Sequence, residues 1–172
     1  ADAARLFVLS DSPPDRDLEW TDAGIEGAWR YLNRLWRLAT SAAETPEGPV
    51  PLVLDPAPAG VLRQIHRAIS AVSDDLEKFR FNSAVARIRE LTNALADMDR
   101  GVVGANAVYR LGVATVAQLI NPLTPHISEE IWRMLGATSI LTETAWPSFD
   151  PALLEDDTVT IAVQVNGKLR GT

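Results

Sequence analysis

Cysteine is absent from the sequence. Its absence excludes disulfides, thiolate nucleophiles and cysteine-held metals, and accords with a cytoplasmic setting. No run of about twenty apolar residues occurs, so nothing reads as a membrane-spanning helix. Histidine is confined to His66 and His126. Neither stands in a metal-ligand spacing, so both read as structural, His126 as a capping or turn residue. There is no phosphate-cradling glycine loop and no dinucleotide fingerprint. Lysine is nearly missing too: of the sixteen cations, only Lys78 and Lys168 are lysines. No methionine opens the chain, and ADAARLFVLSDSPP carries Asp2 without a basic region. The expectation is a piece of a longer chain with no signal peptide.

What is present suits one domain, or a domain plus a fragment, built mainly of helices. The chain has 172 residues, 47% of them hydrophobic, and a net charge of −7. That sign argues against a general nucleic-acid binder, though local distribution can override a total. Residues 2–10 read as a short helix ended by Pro13 and Pro14. A second helix is expected from an N-cap at Thr21 to about Glu44. Residues 44–60 hold five prolines and two glycines and read as a loop. Apolar residues then recur at helical spacing: Leu62, Ile65, Ile69, Val72 and Leu76, then Ala84, Ile88, Leu91 and Leu95. Asn82 is the expected cap of that second stretch. A further helix over 105–120 is expected to bury Val108, Leu111 and Leu119, with the Thr115 hydroxyl bonded back one turn. Thr124-Pro125 opens a short helix that Gly136 ends. Val159 to Val165 alternates with period two, and Asn166-Gly167 is a hairpin signal.

The helix over 21–44 carries the most informative pattern. Advancing about 100° per residue from Trp29, Ile25, Ala28, Leu32, Leu35 and Trp36 share one stripe. Arg30, Arg34 and Arg37 lie apart from it as a ridge. The expectation is that Trp29, Trp36 and Trp132 pack in the core and that Trp20 and Trp146 pin loops. Arginine forks match phosphate oxygens, so the ridge is a candidate nucleic-acid contact, with Lys78, Arg80 and Arg87 as possible extensions. The competing reading is a solvated face paired with acids such as Glu26. The adjacent acids Asp74-Asp75, Glu129-Glu130 and Asp156-Asp157 read as solvated faces or helix ends, and no catalytic constellation is visible.

Four stretches carry a resemblance: SPPDRDLEWTDAGIEGAWRYLNRLWRL, LEKFRFNSAVARIRELTNAL, LINPLTPHISEEIWRMLG and AWPSFDPALLEDDTVTIAVQVNGKLRG. Together they resemble the leucyl members of the class Ia aminoacyl-tRNA synthetases, over essentially the whole chain. The resemblance implies a mainly α fold: an anticodon-binding-type helical bundle with a short C-terminal β-hairpin remnant. It implies three parts. Residues 1–18 would be the tail of a catalytic or stem-contact region, 19–150 the bundle, and 151–172 a linker and the start of a C-terminal domain.

It also implies a parent enzyme that ligates leucine to tRNA(Leu) with ATP and magnesium, cytoplasmic and monomeric. Leucine and ATP would be bound by domains absent here, so this piece would dock tRNA backbone without catalysing anything and would need no cofactor or metal. Arg30, Arg34 and Arg37 would be the tRNA contacts. The equivalent bundle of a valyl or isoleucyl enzyme, or a helical protein-interaction module with no RNA role, stays open.

Overall fold

The computed structural model describes residues 1–155, 163–165 and 168–171. Six α-helices make up the body among the described residues: α1 Asp2–Asp11, α2 Asp22–Ala43, α3 Pro56–Glu77, α4 Phe81–Asp97, α5 Ala105–Ile120 and α6 Pro125–Met134. Short 3-10 turns follow at Leu141–Glu143 and Pro151–Leu153. Two short strands, β1 Val163–Val165 and β2 Lys168–Gly171, pair antiparallel with an irregularity between Val163 and Gln164. Asn166 and Gly167, on which the hairpin expectation rested, lie outside the described residues, as do Val159 and the Asp156-Asp157 pair.

One core runs through all six helices. It joins Leu6 and Phe7 of α1, Leu35 of α2, Ile65 and Val72 of α3, Ile88 and Leu95 of α4, Val108 and Leu119 of α5, and Ile131 of α6. Each fully buried leucine or isoleucine of this kind contributes about 1.5–3 kcal/mol by removal from water. α3 and α4 form an αα-hairpin over a three-residue turn. α5 packs against both of them, and α1 lies against α2 and α4.

Helix ends account for most departures from expectation. α2 begins as expected, with Thr21 Oγ1 accepting from the Gly24 amide at 3.2 Å. α3 begins at Pro56, inside the stretch read as loop. Proline is tolerated in a first turn because its missing amide would be unpaired there anyway. Asn82 is not a cap. The turn is made by Phe79 at φ 56°, and α4 starts at Phe81 behind Arg80. The Arg80 amide bonds the Asp75 carbonyl at 2.8 Å, and its side chain bonds Asp75 and Asp74. Leu111 is exposed rather than buried, whereas Val108 and Leu119 are fully buried. The Thr115 hydroxyl does bond back, to the Leu111 carbonyl at 2.9 Å. Gly136 ends α6 at φ 89°, a left-handed position that suits glycine.

Thr124 stands at the N-cap position of α6, but its hydroxyl donates backward to the Ile120 carbonyl. The capping acceptor comes from the other end of the chain. Asp2 Oδ2 accepts from the Ile127 amide at 2.8 Å, and Oδ1 accepts from His126 Nδ1 at 2.8 Å and from Arg5 at 3.1 Å. An ionised carboxylate only accepts, so Nδ1 carries the ring hydrogen here. Burial alone would raise the Asp2 pKa, but these hydrogen bonds outweigh it and hold it below the ordinary value.

A carboxyl lowered by folding stabilises the fold above its unfolded pKa, about 3.9. That contribution fades as pH falls through the folded-state value. Asp2→Ala is therefore expected to cost about 1–3 kcal/mol near neutral pH, and the gap between variant and parent should narrow below about pH 4. Urea unfolding followed across that range reads this out; a gap independent of pH would refute the linkage.

Candidate nucleic-acid interface

The α2 helix presents two faces, but the boundary between them is not the expected one. The buried residues are Ala28, Tyr31, Leu32, Leu35, Ala39 and Ala42. With Trp29 at zero and about 100° per residue, they centre near 250°. Trp29 and Trp36 stand about 110° and 90° from that centre, on the flanks. They are accordingly 60% and 40% exposed, which corrects the core assignment. Both line an apolar groove of about 580 Å³ with Leu32 and Ile127. Trp132 is partly buried against the core. The loop tryptophans act as expected: Trp20 packs edge-on against Phe7 at 5.5 Å, and Trp146 Nε1 donates to Ser73 Oγ at 2.8 Å. His66 is structural, its Nδ1 accepting from the Asp150 amide at 2.9 Å.

The arginine ridge lies opposite the buried stripe. Arg30 meets Glu26 at 3.4 Å, one turn away and with both side chains 70% exposed. A pair of that kind is worth a few tenths of a kcal/mol, so it leaves Arg30 available. Arg34 donates to Asn93 Oδ1 of α4 at 2.6 Å, a neutral partner. Arg37 is exposed, with no partner among the described residues. The suggested extensions differ. Lys78 pairs with Asp74, Arg80 with Asp74 and Asp75, and Arg87 with Glu90. Lys78 and Arg80 thus share the carboxylates of Asp74 and Asp75, whereas the exposed Arg87–Glu90 pair at 3.5 Å is as weak as that of Arg30 and Glu26.

A shallow cleft of about 360 Å³ opens between α2 and α4 beside the ridge, lined by Arg30, Tyr31, Arg34, Arg89 and Asn93. Arg37 is not in its lining. Arg89 is a cation that the sequence reading missed, because it sits on a different helix from the ridge. Its guanidinium carbon stands 5.0 Å from the Tyr31 ring centre. The Tyr31 hydroxyl is tied to Thr92 Oγ1 at 3.0 Å. Burial pushes the Tyr31 phenol above its ordinary pKa, with Thr92, Arg89 and Arg34 offsetting in part, so it stays neutral. The ensemble is a set of N–H donors with positive charge, set in a protein that is acidic as a whole.

Residues 59–172 match the model of the anticodon-binding domain of tRNA ligase. A leucine–tRNA ligase of Rhodospirillum rubrum is 59% identical over 175 residues, covering all of this chain and 20% of its own length. One of Paramagnetospirillum magneticum is 56% identical over 172 residues, with the same coverage. The chain thus spans about a fifth of the length of the curated relatives it matches. Among solved structures, the LeuRS–tRNA–LeuAMS ternary complex from Agrobacterium radiobacter superposes with a TM-score of 0.85 at 29% identity, over 99% of this chain and 23% of that one. The chain therefore belongs to the anticodon-binding domain family of tRNA ligases.

Proposed function

We propose that this chain is the tRNA-docking bundle of a leucine–tRNA ligase, and that Arg30, Arg34 and Arg37 meet the sugar-phosphate backbone of tRNA(Leu). The observation that carries the reading is the ridge itself: three arginines on one face of α2, one in a weak exposed ion pair, one on a neutral amide and one unpaired. The leucine–tRNA ligases that match the whole chain support the amino acid. A related chain solved in complex with tRNA supports the ligand. In this reading the longer protein joins leucine to tRNA, with ATP and magnesium held by other domains. It is a cytoplasmic monomer. Residues 1–18 lead in from a catalytic or stem-contact region, 19–150 form the docking bundle, and 151–172 lead toward a C-terminal domain. The bundle itself catalyses nothing. No helix among the described residues is long and apolar enough to cross a membrane.

Phosphate contacts position an RNA without reading its sequence. In the full-length protein, Arg30→Ala and Arg34→Ala are each expected to weaken binding to tRNAs of different sequence alike. Each should lower the slope of log affinity against log salt by about one unit. Equal affinity and equal slope in parent and variants would remove the phosphate role. An aminoacylation assay with leucine, valine and isoleucine tests the amino acid separately: charging with valine or isoleucine in place of leucine would assign the bundle to a sibling enzyme.

A further inference from the structure

We propose that Arg89 is a fourth contact, and that the α2–α4 cleft is a clamp for a single phosphodiester group rather than a pocket for a base. The inference rests on the RNA-docking reading above and adds a residue and a ligand class to it.

The first argument is the chemistry of the lining. Arg30, Arg34 and Arg89 offer N–H donors only, because a guanidinium has no acceptor. The one amide, Asn93, already has its Oδ1 engaged by Arg34 at 2.6 Å, so what its side chain has left to offer a ligand is chiefly its NH2 donors. Tyr31 is in the lining through its ring, and its oxygen is tied to Thr92 Oγ1. Nucleobase edges present donors beside acceptors. A base seated here would bring N–H groups to a surface already rich in donors. A phosphodiester brings acceptors alone, with a negative charge, and matches every group present.

The second argument is preorganisation. Arg89 lies over the Tyr31 ring, and its Nε is covered and has no hydrogen-bond partner. Among the described residues no carboxylate pairs with it, unlike Arg87 two positions earlier, which meets Glu90 at 3.5 Å. A guanidinium stacked on an aromatic face loses less freedom when it binds than one waving in solvent. Tyr31 is itself fixed: it is 8% exposed, and the Thr92 hydroxyl that holds it donates to the Ile88 carbonyl at 2.7 Å. Arg34 is braced from α4 through Asn93. The cleft thus carries two oriented forks, Arg34 and Arg89, and a third, Arg30, held only by a weak exposed pair, on two different helices. The nearby acid is Glu26, which reaches Arg30 at 3.4 Å and does not line the cleft.

The test uses the full-length protein with Arg89→Gln, Arg89→Lys and, as reference, Arg30→Ala. Binding is measured to a leucine-accepting tRNA and to an RNA of unrelated sequence, between about 50 and 200 mM salt. Arg89→Gln is expected to weaken both RNAs about tenfold and to lower the salt slope by about one unit. Arg89→Lys keeps the charge but not the fork. It should keep the slope and weaken binding about threefold, with thermal unfolding unchanged. Loss of binding in Arg30→Ala with no change in either Arg89 variant overturns the clamp and leaves the docking reading standing. No change in any variant overturns both. A Gln variant that weakens only one of the two RNAs means base readout and overturns the phosphate assignment. Full affinity in Arg89→Lys overturns the oriented fork on Tyr31.

Discussion

Arg110→Ala is expected to destabilise the bundle by about 2–4 kcal/mol, read as a lower urea midpoint at unchanged slope. Arg110 sits on α5 and joins two helix ends that are far apart in the chain. Nη1 donates to the Ala42 carbonyl at 2.9 Å and to the Thr45 carbonyl at 3.3 Å, at the end of α2. Nη2 donates to the Leu135 carbonyl at 2.5 Å, at the end of α6. The last carbonyls of a helix have no intrahelical partner, and the negative end of the dipole favours a cation there. A single fork therefore bonds three carbonyls, of which that of Ala42 also accepts from the Thr45 amide at 3.1 Å, and it complements two dipoles. Hydrogen bonds from a charged donor contribute about 1.5–3 kcal/mol each where both groups are shielded; Arg110 is half-buried, so the sum is held well below three times that. Arg110→Lys should recover less than half of the loss, since a compact ammonium cannot span both ends. A shift below about 0.5 kcal/mol in Arg110→Ala would mean that water replaces the fork without cost.

This tie also marks where reading the chain stops. Helices α2, α4, α5 and α6 are legible because each depends on neighbours within one or two turns: apolar spacing, Thr21 as a cap, Gly136 as a stop. The same locality makes the ridge legible, since Arg30, Arg34 and Arg37 share one helix face whatever surrounds it. Contacts across the chain leave no such trace. Asp2 caps α6 over 125 positions, and Thr124, the local candidate, bonds elsewhere. Arg89 joins the ridge only because α4 lies beside α2 there. The tryptophans fail for a different reason. The apolar stripe of α2 is wider than its buried part, and hydrophobic character alone does not say which edge another surface covers. Trp29 and Trp36 occupy the edge that the bundle leaves open. In the stretch 44–60 only the last five residues depart from a loop, because Pro56 serves as a first-turn residue of α3 rather than as a breaker.

Gly112→Val should cost about 3 kcal/mol, although glycine is a poor helix former. Gly112 is buried in mid-helix, where α5 runs against α3 and α4. A Cβ placed there would stand 2.4 Å from Leu95 Cδ2 and 3.2 Å from Ile65 Cδ1. Leu95 and Ile65 are each 1% exposed, so any shift of either must be taken up inside the packed core. Two effects oppose one another in Gly112→Ala. The helix gains about 1 kcal/mol of propensity, while forcing Leu95 aside costs about 1–3 kcal/mol. The contact at 2.4 Å falls on the end of a side chain, which can turn, so the alanine variant should be destabilised by about 1 kcal/mol or less. Valine adds two methyl groups to the same gap and has no such escape. Chemical unfolding of the two variants decides the matter through their order: parent above alanine above valine. An alanine variant more stable than its parent would mean that α5 has room at this position, and that the glycine is not there to let the helices approach.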